Sequence, residues 1–393
     1  MKRHISYTAV IVVSLLVAFL FVFQLGCEDL EEQHEDVPNI EVDDDDDDNE
    51  TGWDYPYYLV IGGGLSETLS LLTVNGPGEF SLANDVQVTA SSINQTIHHE
   101  KELFALCSLS HSVVVYEIQD LSIKTEISVG VGNNPIALAF YDEKKAFISN
   151  FISNTVTYYN LADDTGDALA TIEMPSGNAL PKNSGVNETW ARPGGLTLVD
   201  NKIYVALANL ESAYVAGGPG LVAVIDPDEK SIDTLIEMQG HDTVSVNVDE
   251  DAAIVYAISA GDYTVSEGFL GNGKVEMIDI ETDQVVNAID IAGAPFEMAI
   301  SSDGIAYLGN GKEGKVLSFD TKTLESLDAI DIHDPDDSLG LSYVSALVVD
   351  GNDYLYATEF NHDRLFVIDT HDQNQIVATF IVNDGPDTLS FIR

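Results

Sequence analysis

His241, Glu297 and Asp387 are the residues with the types to run acid–base chemistry in this sequence. One imidazole and two carboxyls make a general acid and base pair if folding brings them together. A second group has the character of binding residues: Trp190, Arg192, Tyr343, Tyr214 and Tyr263, with Phe269 beside them. Arg192 draws notice because basic residues are scarce. Each of these side chains also has a plainer use, satisfying its own loop or pairing locally. His98-His99-Glu100 has metal-ligand types, but neighbouring side chains on an extended chain point to opposite faces. No metal site is expected there. Gly62-Gly63-Gly64 follows a strand with no helix behind it, so it lacks the helix dipole that a phosphate cradle uses. No HExxH pair, GxSxG elbow, CxxC pair or phosphate-binding loop is present.

The elements that must position these residues repeat along the chain. Asn134 to Met174 contains short apolar runs divided by polar turns, the pattern of a four-stranded antiparallel meander. Its aromatic strand recurs, with Tyr58, Phe104, Phe147, Tyr204, Tyr256, Tyr307 and Tyr356 in the same place. A second apolar strand follows each, and several end on an acid: Asp226, Asp279, Asp320 and Asp369. An Asp there is expected to accept hydrogen bonds from the next turn. A third strand precedes the aromatic one and often opens on proline, as at Pro135, Pro193 and Pro295. Asp303-Gly304 and Asp350-Gly351 suit the tight turns between them.

These units resemble the YVTN family of β-propeller repeats, on Phe147-Ile-Ser-Asn150 and Tyr307-Leu-Gly-Asn310 above all. The resemblance implies an all-β fold: a seven-bladed β-propeller of four-stranded antiparallel blades over residues 55–393. The first unit lacks an opening strand, and the chain ends on Gly385-Pro-Asp-Thr-Leu-Ser-Phe-Ile-Arg393, which matches one. The C-terminal strand is therefore expected to pair into the first blade and close the ring. With strands A to D counted outward from the axis, the long insertions 175–192, 208–220, 260–274 and 333–342 fall on one rim. Long loops on a rigid scaffold are where binding usually resides. Propellers similar to this include lactonases and quinoprotein-like proteins, so a hydrolase with its site at the channel mouth is the alternative to a binding scaffold.

Residues 1–27 read as a targeting segment. Lys2 and Arg3 precede an uncharged apolar run from Thr8 to Phe23, and Leu25-Gly26-Cys27 follows. This resembles a bacterial lipoprotein signal with Cys27 as the lipidated residue; an uncleaved signal anchor is the rival. Either places the rest outside the cytoplasm, membrane-anchored in the periplasm or at the cell surface. Residues 28–54, with the run Asp43 to Asp48, read as an acidic disordered spacer. The formal net charge of −50, from 66 acidic and 16 basic residues, repels phosphate backbones and argues against nucleic acid as a partner. A protein, glycan or small molecule remains. No cofactor is implied, although the acids leave Ca²⁺ open. Two cysteines exclude a disulfide framework, and Cys107 reads as a small core residue.

Overall fold

The computed structural model describes residues 37, 40, 53–162, 165–333, 340 and 342–393. The apolar run from Thr8 to Phe23, Cys27 and the aspartates 43–48 lie outside the described residues. Among those described, no helix is long and apolar enough to cross a membrane.

Seven four-stranded antiparallel sheets are arranged as a β-propeller. Blade two shows the pattern, with strands A to D at Ile93–His99, Glu102–Cys107, Ser112–Glu117 and Ile123–Ser128. Blade one is built from both ends of the chain: its A strand is Pro386–Ile392, paired antiparallel to Tyr57–Gly63. The expected closure is therefore present, and blade one has its four strands like the others.

B and C strands are almost wholly buried, because each is covered on both faces by neighbouring blades. The core accordingly divides into seven apolar layers, one per junction. The repeated aromatic always reaches into the next blade. Phe147 of blade three packs on Ile203 and Val205 of blade four, and Tyr356 of blade seven packs on Leu59 and Ile61 of blade one. The last layer closes the circle.

Register corrects one reading. Phe104 lies three residues before Cys107, which faces Ser112 across the B–C turn, and Tyr356 lies three before Glu359, which faces Arg364. In blade one Gly63 faces Thr68, so the matching position is Val60 and not Tyr58. Side chains alternate along a strand, so Tyr58 still shares the face of Val60, nearer the other rim. Both sit in the layer against Leu103 and Ala105 of blade two.

A second lock sits below the closing strand, on the rim of the A–B turns. The Trp53 N–H donates to Asn352 Oδ1 (3.1 Å), and Asn352 Nδ2 donates back to the Trp53 carbonyl (3.2 Å). The indole meets Phe391 edge-on at 4.7 Å, and the Arg393 guanidinium lies 4.9 Å from its centroid. A Cβ on Gly351 would come within 2.1 Å of the indole, so this turn must carry glycine. Beneath, the Tyr57 and Tyr356 hydroxyls both donate to Asp350 Oδ2. Further along the same rim Ile40, 2% exposed, is buried in the layer between blades one and two, and its N–H donates to the Gln119 carbonyl (3.2 Å). At Ile40, at least, residues 28–54 touch the ring.

Removing Gly385–Arg393 exposes one edge of Tyr57–Gly63 and strips Leu389 from the closing layer. We expect the truncated chain to lose its cooperative thermal transition. The milder Asp350→Ala, which strands two buried hydroxyls, should cost about 3 kcal/mol in urea denaturation.

Candidate functional site

The long-loop rim is built by one device in every blade. The residue just before each A strand accepts, through its carbonyl, a hydrogen bond from the backbone N–H just past the B strand. Ser92 takes it from Ser108, Asn134 from Phe151, Arg192 from Ala208, Asp242 from Ala260, Ala294 from Gly311, Tyr343 from Phe360 and Gly385 from Gly64. Five of these residues, at 92, 134, 192, 242 and 385, have positive φ, the left-handed turn that swings the chain into the inner strand. Each A–B pairing then breaks register within its first few residues. Bulges of this kind re-aim side chains at rims. Glu297 and Asp387 both sit within the irregular stretch of their strands.

Two B–C loops rise over this rim as small hairpins, Leu210–Ser212 with Val215–Ala216 and Tyr263–Thr264 with Gly268–Phe269. Their aromatics meet: Tyr214 lies 5.7 Å from Tyr263, Tyr263 lies 5.2 Å from Phe269, and Phe269 lies 5.3 Å from Phe296. Tyr343 stacks on Phe360 at 5.3 Å.

Electrostatics places the rest. Tyr214 is raised by burial first, then by the charges of Asp242, Tyr263 and Asp387. Tyr343 is raised by burial, then by Asp387, Tyr214 and Glu359. Tyr214 of blade four touches rings of blade five and feels charge from blades five and one. Glu297 is pushed up to about 8 by burial and by Asp387. Asp387 is pushed up to about 7 and Asp242 to about 8, both by burial. Water reaches Glu297 from the channel, yet protein surrounds its carboxyl. Asp242 is 2% exposed, and its Oδ2 has no hydrogen-bond partner.

The sequence candidates thus part company. Asp387, Glu297 and Tyr343 belong to the starts of inner strands on this rim, and Tyr214 and Tyr263 to the hairpins beside them. His241 does not act with the carboxyls; its Nδ1 pairs with Asp262 Oδ1 at 2.7 Å, in its own loop. Arg192 Nη1 donates to the carbonyls of Phe151 (3.0 Å) and Ile152 (3.1 Å), and its guanidinium lies 5.3 Å from both the Phe151 and the Trp190 rings. Trp190 bridges Ser176 and Leu210 through its backbone. These two hold loops together. His99 stacks on Phe140 while His98 Nε2 donates to the Glu100 carbonyl, so the pair diverges. The strand-end acids accept turn N–H groups, as Asp226 Oδ1 does from Asp228 (2.7 Å) and Asp320 Oδ1 from Thr323 (2.8 Å). Among the described residues no three His, Cys, Asp or Glu side chains are grouped to hold a metal ion. Asp242 was missed; only its place one residue before an A strand, matching Arg192, could have flagged it. A cleft of about 770 Å³ opens on the opposite rim between blades five and six, lined by Asp249, Tyr256, Met277, Lys322 and others, away from these carboxyls.

Comparison with known proteins agrees on the architecture. The chain is similar to a solved chain of Kuenenia stuttgartiensis hydrazine synthase, with a TM-score of 0.59 at 16% identity over 77% of this chain and 95% of that one. At that identity the likeness shows the propeller fold alone. No protein-family model matches the chain, and no curated protein matches it in sequence.

The raised carboxyls make stability fall with pH. Asp242, Glu297 and Asp387 start from ordinary values of 3.8, 4.5 and 3.8, and are pushed up in the fold to about 8, 8 and 7. The folded chain binds more protons across that window, so its stability is full below about pH 4 and is lost as pH rises through the folded values. We expect the melting temperature to drop from pH 5 to pH 9. Asp242→Asn should flatten the drop, matching the unsubstituted protein at pH 5 and exceeding it at pH 9.

Proposed function

We propose that this chain is a membrane-tethered, extracytoplasmic binding scaffold that presents its long-loop rim to a protein, glycan or small molecule. The observation that carries the reading is the convergence of hairpins from blades four and five over a channel mouth that holds carboxyls and aromatic rings. Concave surfaces with a few convergent polar groups are the usual seats of ligands. Kinship with YVTN repeats is supported by one asparagine of that motif: Asn310 Oδ1 accepts the N–H of Ala294 (3.0 Å), tying B strand to A strand, whereas Asn150 donates through Nδ2 to Thr157 (2.9 Å). Glu359 does for Tyr343 in blade seven (3.2 Å) what Asn310 does for Ala294, which explains why the letter can vary. The tether rests on the apolar run and on Leu25-Gly26-Cys27. A lactonase-like hydrolase is the second reading, favoured by the electrostatic pairing of Glu297 with Asp387 near neutrality; the engagement of His241 with Asp262 removes its third member.

Two experiments test the proposal. Replacing Leu210–Ala216 and Tyr263–Phe269 by glycine-serine turns should abolish whatever the full-length protein captures by cross-linking in its native membranes. Replacing the Asp249–Asp251 turn on the far rim should not; the opposite pattern would refute the rim assignment. For the tether, Cys27→Ser should abolish incorporation of labelled palmitate and block processing. Unchanged size and membrane retention in that variant would show an uncleaved anchor instead.

A further inference from the structure

We infer that the cleft between blades five and six, on the rim opposite the long loops, is a docking groove for an extended peptide of a partner protein, one that carries an aliphatic side chain beside lysine or arginine. This goes beyond the long-loop reading and assigns a second surface.

The ring shows one such groove filled. Between blades one and two the same rim receives Ile40, which is 2% exposed and donates its N–H to the Gln119 carbonyl (3.2 Å). Tyr58, Val60, Leu71 and Leu121 share its layer. Register puts the cleft in the equivalent place. Val60 faces Leu71 and Tyr256 faces Met277, each pair on strands B and C. Ile254 lies two residues before Tyr256, as Tyr58 does before Val60. Gln119 and Leu121 stand two and four residues past the end of strand C, where blade six has Lys322 and Leu324. Leu121 and Leu324 share a positive φ, 52° and 59°. Ile254, Tyr256, Met277 and Leu324 all line the cleft, and among the described residues nothing donates to the Lys322 carbonyl. The cleft thus has the walls and the backbone acceptor of the filled groove.

Other junctions on this rim are closed by their own side chains. At blades four and five Asp283, the counterpart of Leu324, accepts from Tyr204 (2.6 Å) and from Lys202 (2.9 Å), which bridges the groove. His99 stacks on Phe140 at blades two and three, Tyr141 donates to Asp228 (2.6 Å) at three and four, and Tyr307 donates to Asn374 (3.0 Å) at six and seven. At blades five and six Ile254 stands in place of the lysine and Leu324 in place of the aspartate, so the lysine–aspartate bridge cannot form. Apolar walls face solvent instead, and Val286 on the lip is 56% exposed. Charge chooses the occupant. Asp249, Glu250 and Asp251 form one edge of the cleft; Lys322, opposite, is turned to the Asp303 carbonyl of its own blade (3.3 Å). A second copy offering its own Val37–Ile40 would bring Asp36, Glu41 and the aspartates 43–48 to that edge. Like charges repel there, so the segment that suits the groove carries basic residues in those places. One short segment in an open groove binds weakly, with Kd on the order of 100 µM. The groove therefore adds to a contact made elsewhere and does not hold a partner alone.

The test is titration calorimetry of the full-length protein in detergent at about 150 mM salt, where the Debye length is about 8 Å and loose attraction to the acidic surface is screened. The probes are blocked hexapeptides: Lys-Val-Pro-Asn-Ile-Lys, the same with its isoleucine changed to asparagine, and the acidic Asp-Val-Pro-Asn-Ile-Glu of residues 36–41. We expect the first to bind saturably at one site and the other two to bind at least about tenfold more weakly. Ile254→Lys/Leu324→Asp rebuilds the bridge of blades four and five inside this groove and should weaken the first peptide at least about tenfold. If that variant fails to fold, Val286→Arg decides, since it changes an exposed lip residue and should weaken the basic peptide as much. Replacing the Leu210–Ala216 and Tyr263–Phe269 hairpins should leave the peptide bound as before. Equal binding of the asparagine peptide would overturn the proposal, as would binding that neither groove variant weakens. Tighter binding of the acidic peptide would overturn it in favour of a second copy. Failure of the first peptide to bind would sink the groove and leave the long-loop reading standing.

Discussion

Each blade of this ring has two apolar faces, and neither can be hidden inside the blade that owns it. Burial is possible only when a neighbour supplies the other half of a layer, as Ile203 and Val205 do for Phe147. That requirement passes from blade to blade and ends only when blade seven meets blade one through Tyr356, Leu59 and Leu389. Hydrophobic burial is proportional to area and non-directional, so it explains why blades stack. It does not explain why the ring stays shut. Directional bonds do that: the ladder of Pro386–Ile392 on Tyr57–Gly63, and the Trp53–Asn352 pair below it.

The same construction produces the mouth. The carbonyl that precedes each A strand is held by the turn after each B strand, so the inner strands all begin from a fixed point. The register break that follows swings side chains out of the sheet pattern, and at blades six and one those side chains are acidic. Protein around those carboxyls, with no basic partner, pushes their pKa values up. The fold tolerates this at some cost in stability above neutrality, the mark of residues kept for something other than holding the ring together.

The sequence carried the ring well because its evidence is periodic. Aromatic strands, acid-ended strands and proline-opened strands recur at blade spacing, and the surplus strand at 386–392 has one place to go. Register was less visible: two tyrosines stand together at 57 and 58, and only pairing with Thr68 through Gly63 shows that Val60 takes the shared position. The mouth was legible in part. Asp387, Glu297 and Tyr343 follow from strand position alone. Asp242 does not, because the burial of a residue one place before an inner strand leaves no local signature. Arg192 misled for the opposite reason: scarcity suggested a ligand contact, while nearby carbonyls and rings had already claimed it.

The place where the chain joins the ring also fixes how the ring bears load. Trp53 and the start of Tyr57–Gly63 lie on the rim opposite the carboxyl mouth, and that strand is laddered to a partner on each side. Inter-strand hydrogen bonds run perpendicular to the strands. Tension applied through the residues before Trp53, along the strand, would therefore shear two ladders at once instead of peeling one bond after another. A pull from that end would load the ring along its closing strands, from the rim opposite the carboxyls.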